Sequence, residues 1–150
     1  MLLMKKILAI TTTHWRLKMQ IRFTGIQFTE LDYQVKTFDK AITHQLETSL
    51  KVGVGFKEEE KKGFIVTFEM LLQSKSKKFK LKLKADAQFL TESEIDEEFK
   101  TSPFVKVNAP AIAFPYVRTF ISNLTLNSGY DPIVLPAYNF VQLANEGDAE

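Results

Sequence analysis

The stretch KFKLKLKADAQF, residues Lys78–Phe89, limits the fold more than any other part of the chain. Phe79, Leu81, Leu83, Ala85, Ala87 and Phe89 fall on one parity, and Lys78, Lys80, Lys82, Lys84, Asp86 and Gln88 on the other. A strand turns successive side chains to opposite faces, so this run predicts a sheet with one buried and one solvated face. Its lysines are not interleaved with aromatics, which argues against a nucleic-acid stripe. They read as a solvated row that also protects a sheet edge from pairing.

The rest of the chain supplies partners for such a strand. Residues 19–35, MQIRFTGIQFTELDYQV, alternate but change parity between Phe23 and Ile26, where Gly25 can accommodate a bulge. The segment 34–47 reads either as a short helical turn or as a long polar connection. A hairpin follows: Leu50, Val52, Val54 and Phe56 share one face, the charged turn Lys57–Gly63 intervenes, and Phe64, Val66, Phe68, Met70 and Leu72 continue the apolar face. The acidic run TESEIDEEFK, residues 91–100, is a short helix or a hinge. Residues 103–128 carry helical periodicity, with Gly129 as a left-handed stop. Pro132 and Pro136 keep the apolar tail extended, and a short helix is expected around Asn139–Ala144 before the end frays. Strands followed by a helix predict an α+β fold, a four-stranded antiparallel sheet with a long C-terminal helix packed on one face.

That helix is unusually apolar. In AFPYVRTFISNL, residues Ala113–Leu124, the side chains of Phe114, Val117, Ile121 and Leu124 form one stripe. Ala113, Tyr116 and Phe120 form a second beside it. Arg118, Ser122 and Thr125 are left as a polar strip. The apolar arc is wider than one sheet can cover, and each large side chain left in water forgoes roughly 1.5–3 kcal/mol of burial. A second partner surface is therefore expected, either another copy of the chain or something apolar. Pro115 suits a helix that begins near Phe114, or two helical pieces meeting at a kink.

Composition narrows the functional classes. The absence of cysteine removes disulfides, thiolate zinc sites and cysteine nucleophiles. The net charge of +2 includes four positive charges in residues 1–18, at Lys5, Lys6, Arg16 and Lys18, which leaves −2 on the remainder and no case for nucleic acid. Residues 1–18 do not read as a signal peptide, because the run Ile7–Ile10 is short and no small-x-small site follows. We take them as a disordered extension or an upstream-start artefact, with 19–150 as a single domain. No stretch has the ~20 apolar residues of a membrane span. His14 and His44 have no ligand-like company beyond Glu47, and Glu58–Glu60 and Asp96–Glu98 are solvated charge runs. Asn123-Leu124-Thr125 is a sequon, but it falls inside the helix. Arg118 is expected to pair with an acid of residues 92–98. The chain reads as a non-enzyme without metal or cofactor.

The segment NAPAIAFPYVRTFISNLTLNSGYDPIVLPAYNF, residues 108–140, resembles the C-terminal half of the SecB-type protein-export chaperones. The shared features are the F-P-Y-x-R core at Phe114–Arg118, a helix closed by glycine, and a proline-spaced aliphatic run ending in Asn139-Phe140. The resemblance implies a SecB-like sheet and helix assembled as a dimer of dimers, a cytoplasmic homotetramer. Tyr116, Val117, Phe120, Ile121 and Leu124 would form the contact between copies. It also implies a holdase that binds unfolded or precursor polypeptides in apolar grooves, here assigned to Val52, Val54, Phe56, Ile133, Leu135, Tyr138 and Phe140. An export motor ATPase is the partner of typical members, which are strongly acidic and carry a longer terminal helix than the few residues after Phe140 allow. Relatives serve as chaperones of antitoxins, so a dedicated chaperone of one partner is a second expectation, and an oligomeric adaptor without clients a third. None of these involves nucleic acid or membrane insertion.

Overall fold

The computed structural model describes residues 20–38 and 45–148. The expectations for residues 1–18, including His14, and for His44 lie outside the described residues. Strands β1 (Ile21–Val35), β2 (Leu46–Phe56), β3 (Gly63–Ser74) and β4 (Phe79–Thr91) form one antiparallel sheet in the order β1-β4-β3-β2. The alternation of β4 is realised: Phe79, Leu81, Leu83, Ala85, Ala87 and Phe89 are all buried. Gln34 and Val35 belong to β1, and Leu46 and Glu47 to β2, so neither end of segment 34–47 is helical. The lysine row, however, guards no edge. β4 lies between β1 and β3, so its lysines run down the middle of the open face. There Lys84 faces Glu30 on one side and Glu69 on the other. Lys80 Nζ donates to Asp32 Oδ2 at 2.6 Å.

The parity change in β1 is a bulge, and a second one follows it. The register against β4 slips between Phe23 and Gly25 and again between Phe28 and Glu30. The hydroxyls of the two extra residues donate across the strand pair, Thr24 to the Gln88 carbonyl and Thr29 to the Lys84 carbonyl. Each bulge resets which parity faces inward. Phe23, Ile26, Phe28 and Tyr33 therefore all stand opposite buried β4 residues, namely Phe89, Ala87, Ala85 and Leu81.

After the sheet, Asp96 accepts the Phe99 N–H at 2.7 Å and caps the single turn α1 (Glu97–Lys100). A π-helical segment, Phe104–Asn108, leads directly into α2 (Ala109–Asn127). The Ala109 N–H bonds to the Phe104 carbonyl, and Pro110 then has no N–H with which to close an α-type bond to Lys106. The long helix thus starts before Phe114 and runs through Pro115, which is exposed on its outer side. Its end is the expected one: Gly129 has φ +90°, and the Gly129 and Tyr130 N–H groups bond to the Leu126 and Thr125 carbonyls.

Helix α2 packs on the inner face with Ala109, Ala113, Phe114, Val117 and Ile121 buried. Part of its second stripe is covered by its own chain. The Phe120 ring stacks on Phe28 at 3.9 Å, and Tyr116 lies on Phe23 at 4.7 Å. Thr125 is not on a solvated strip; it is fully buried. The final helix, α3 (Phe140–Asp148), follows the proline-spaced loop. Asn139 Oδ1 caps it by accepting the Val141 and Gln142 N–H groups.

Candidate functional site

An apolar cleft of about 550 Å³ opens between the inner side of edge strand β2 and helix α3. Its strand wall is Leu50, Val52 and Val54, and its helix wall is Phe140, Leu143 and Ala144. Lys51, Lys106 and Glu146 border it. The strand wall follows from the period-two alternation of β2, whose apolar residues are half-buried. The helix wall exists because Phe140 is anchored: its ring packs edge-on against Phe114 at 5.6 Å, and Phe114 in turn meets Phe68 of β3 at 5.8 Å.

The loop between α2 and α3 is held to the helix by its backbone. Ser122 Oγ donates to the Ile133 carbonyl at 2.6 Å, and Thr125 Oγ1 accepts the Ile133 N–H at 3.0 Å. Ile133 and Leu135 are buried as a result, at 4% and 3% exposure, whereas Val134 between them is 74% exposed. Tyr138 is half-buried, with its ring edge-on to Phe114 at 5.1 Å.

Of the groove residues expected from the sequence, Val52, Val54 and Phe140 line the cleft together. Phe56 sits at the far end of β2, tilted against Phe64 at 5.9 Å and beneath the Lys100 ammonium at 5.6 Å. Ile133 and Leu135 face the core instead of the cleft. Leu50, Leu143 and Ala144 join the apolar lining from outside the set expected from the sequence. Leu50 shares the alternation of Val52 and Val54, and Leu143 lies three residues after Phe140, so both signals were present in the sequence.

A second apolar surface is the outward side of α2 and the β1 edge. Ile112, Tyr116 and Leu126 are 42%, 50% and 55% exposed, and Leu31 on β1 is 47% exposed. Phe120 and Leu124 are half-buried. Val117 and Ile121, expected at a contact between copies, are 0% exposed beneath the sheet of their own chain and have no surface left to offer. Arg118 makes no ion pair among the described residues. Among the described residues, one carboxyl is shifted by its neighbours, on the open sheet face away from the cleft. There the Lys80 ammonium, with the Gln34 amide, holds the Asp32 carboxyl below its usual value. No three His, Cys, Asp or Glu side chains converge in a metal-ligating group among the described residues.

The family described as preprotein translocase subunit SecB matches residues 27–149, which takes in the latter part of β1, the other three strands, the long helix and the cleft. The chain belongs to the SecB family. That membership places it among non-enzymatic proteins, in agreement with its sequence. Curated relatives include the protein-export protein SecB of Dinoroseobacter shibae, 27% identical over 113 residues, 75% of this chain and 55% of that protein. The SecB of Jannaschia sp. is 31% identical over 85 residues, 52% of this chain and 48% of that protein. The chain thus spans about half the length of these SecB relatives. Among solved structures, the Mycobacterium tuberculosis SecB-like chaperone Rv1957, in complex with a ChAD peptide from the HigA1 antitoxin, matches with a TM-score of 0.65 at 16% identity. The match covers 79% of this chain and 91% of that one, and it shows that the SecB-like fold is shared. No helix of the described residues is long and apolar enough to cross a membrane.

Proposed function

We propose that this chain is a holdase chaperone, cytoplasmic and oligomeric, that keeps polypeptides unfolded by holding apolar segments in the cleft between β2 and α3. The observation that carries this reading is the cleft itself: an apolar lining from Leu50, Val52, Val54, Phe140 and Leu143, beside a strand edge that is unpaired among the described residues. A large apolar hollow of this kind is costly to leave in water unless something fills it. The outward apolar residues of α2, Ile112, Tyr116 and Leu126, support assembly of copies, with a dimer of dimers as the SecB-type arrangement.

The test is suppression of aggregation. Purified protein should hold an unfolded client in solution at near-stoichiometric amounts. Val54→Asp, which places a charge on the half-buried cleft wall, should lose that activity while keeping its mass by light scattering, with a lower but still cooperative melt because Val54 also packs on the core. Failure to protect any of several unrelated clients would overturn the reading and leave an oligomeric adaptor.

A second reading is favoured by two observations. The fold neighbour was solved with an antitoxin peptide, and residues 19–150 carry a net charge of only −2, which offers little to a basic docking element of an export motor. On this reading the cleft serves one dedicated partner, such as an antitoxin. Identification of the proteins bound in native cytosol separates the two: many precursors support the export holdase, and a single partner supports the dedicated chaperone.

A further inference from the structure

The charges of the sheet are sorted by end. Lys75, Lys77 and Lys78 are exposed in the β3–β4 turn, and the Lys36 N–H donates to the Lys78 carbonyl at 2.7 Å, which sets a fourth lysine beside them. Lys80 and Lys82 continue the group along the near half of β4. Against these six stand Asp32, Glu47 at the start of β2, and Asp131, brought to the same end by the stacking of Tyr130 on Phe38, so the net is +3. At the opposite end, residues 57–62 and 91–100 with Arg22 hold eight acids against five bases, a net of −3. Of the six lysines, only Lys80 makes an ion pair among the described residues. The turn itself is firmly held. The Lys77 N–H donates to the Ser74 carbonyl at 2.9 Å, and the buried Ser74 Oγ accepts the Lys78 and Phe79 N–H groups at 3.1 Å each. Lys77 has φ +56°, a backbone conformation that glycine or asparagine adopts more cheaply, so the position keeps a charge where its geometry favours none.

We propose that this basic end docks the chain on an anionic lipid surface, such as a bilayer containing phosphatidylglycerol. The proposal is independent of the holdase reading, because no residue of the cleft takes part. With the N–H groups of Lys77, Lys78 and Phe79 spent inside the turn, what this end presents outward is chiefly charge held at fixed places. Such a group matches a broad field of negative charge better than a single phosphate, which calls for a cradle of backbone donors. A plane meets Lys36, Lys75, Lys77 and Lys78 together, whereas a duplex or an extended peptide lies along only some of them. The opposite charge at the far end adds orientation. The field that draws the turn inward pushes residues 57–62 and 91–100 away, so the chain stands with this end of its sheet on the surface. Leu50, Val52 and Val54 pair with Met70, Phe68 and Val66, so the strand wall of the cleft begins about 13 Å along the sheet from Ser74. Docking by the turn therefore keeps that wall clear of the headgroups.

The experiment is flotation of the full chain with vesicles of phosphatidylcholine alone or mixed with phosphatidylglycerol. At about 0.1 M salt the chain should float with the mixed vesicles only. At about 1 M salt it should stay behind, because the screening length falls from about 10 Å to about 3 Å. Each lysine near such a surface is worth roughly a fivefold factor in partitioning, so Lys75→Gln, Lys77→Asn and Lys78→Gln together should lower it about 100-fold. Asparagine suits the left-handed backbone at position 77, and all three side chains are exposed, so the far-UV circular dichroism spectrum should not change. Lys57→Gln, Lys61→Gln and Lys62→Gln remove the same charge from the acidic end and should not lower partitioning. An equal loss in both triple variants overturns the proposal, since net charge alone then governs binding. Undiminished binding by the turn variant also overturns it and moves the contact elsewhere, residues 1–18 with their four positive charges included. Equal flotation with and without phosphatidylglycerol, or none with either, overturns it outright. Retention on poly-glutamate or duplex DNA without flotation overturns it in favour of an acidic protein or a nucleic acid.

Discussion

The Thr125 hydroxyl accepts the backbone N–H of Ile133 at 3.0 Å inside the core and donates back into its own helix, within 3.0 Å of the Ile121 carbonyl. Ser122 completes the contact from the previous turn by donating to the Ile133 carbonyl. Both polar groups of a loop residue are thereby satisfied by helix side chains, which lets a proline-spaced loop bury Ile133 and Leu135 without a strand partner. Thr125→Val keeps the shape but orphans the Ile133 N–H, and it should cost about 1–3 kcal/mol in urea unfolding. Ser122→Ala should cost less, because the Ile133 carbonyl at this half-buried site can turn to water.

Gly129 should tolerate no side chain cheaply. Nothing crowds the position, so the cost is set by its φ of +90° alone. Gly129→Ala is expected to lower stability by about 1 kcal/mol, with Gly129→Asn falling between, as read from thermal melts.

Pro115 should be a cost to α2, not a support. It sits inside the helix, cannot donate to the Ala111 carbonyl, and is exposed. Pro115→Ala restores that bond and should raise stability by about 1–3 kcal/mol, seen as a higher urea midpoint. A lower midpoint would show that the proline stabilises a bend that the rest of the fold needs.

The Asp32–Lys80 contact should be visible by titration. Lys80 donates to Asp32, so the folded carboxyl titrates below its usual value of 3.8. A depressed folded pKa contributes stability above the unfolded pKa, and that contribution disappears as pH falls through the folded value. The NMR midpoint of Asp32 should accordingly lie low, and Lys80→Met should return it towards the ordinary carboxylate range. Stability near neutral pH should change little, because both groups are partly in solvent.

The outward side of α2 separates assembly from folding. Leu126→Asp alters a side chain that is 55% exposed, so it should reduce the mass seen by light scattering and leave the far-UV circular dichroism spectrum of the folded chain unchanged. Phe120→Ala removes a ring stacked on Phe28 of the same chain, so it should lower stability itself, by about 2 kcal/mol. An unchanged mass for Leu126→Asp would show that this surface is not a contact between copies.

Alternation and turn chemistry made much of the molecule legible from residues alone. Period-two runs identify β2, β3 and β4 together with their buried faces, and the left-handed stop at Gly129 closes α2 as its chemistry requires. The first bulge of β1 was visible at Gly25, while the second, at Thr29, escaped because no glycine marks it. Within the cleft, Val52 and Val54 follow from the same alternation, and Phe140 is suggested by its place after the prolines.

Other features depend on which surfaces meet, and a one-dimensional pattern does not encode that. Whether Lys80, Lys82 and Lys84 guard an edge or fill the middle of a face depends on strand order, and β1 returns to pair with β4. Phe120 and Tyr116 look unpartnered on the helix until β1, brought back by its two bulges, sets Phe28 and Phe23 beneath them. Thr125 looks solvated until the loop folds back and requires a buried acceptor. The sequence determined which residues seek burial, because hydrophobic period and turn residues act locally. The tertiary structure decided what each of them is buried against, because pairing order and backbone satisfaction arise only when distant segments compete for the same surface.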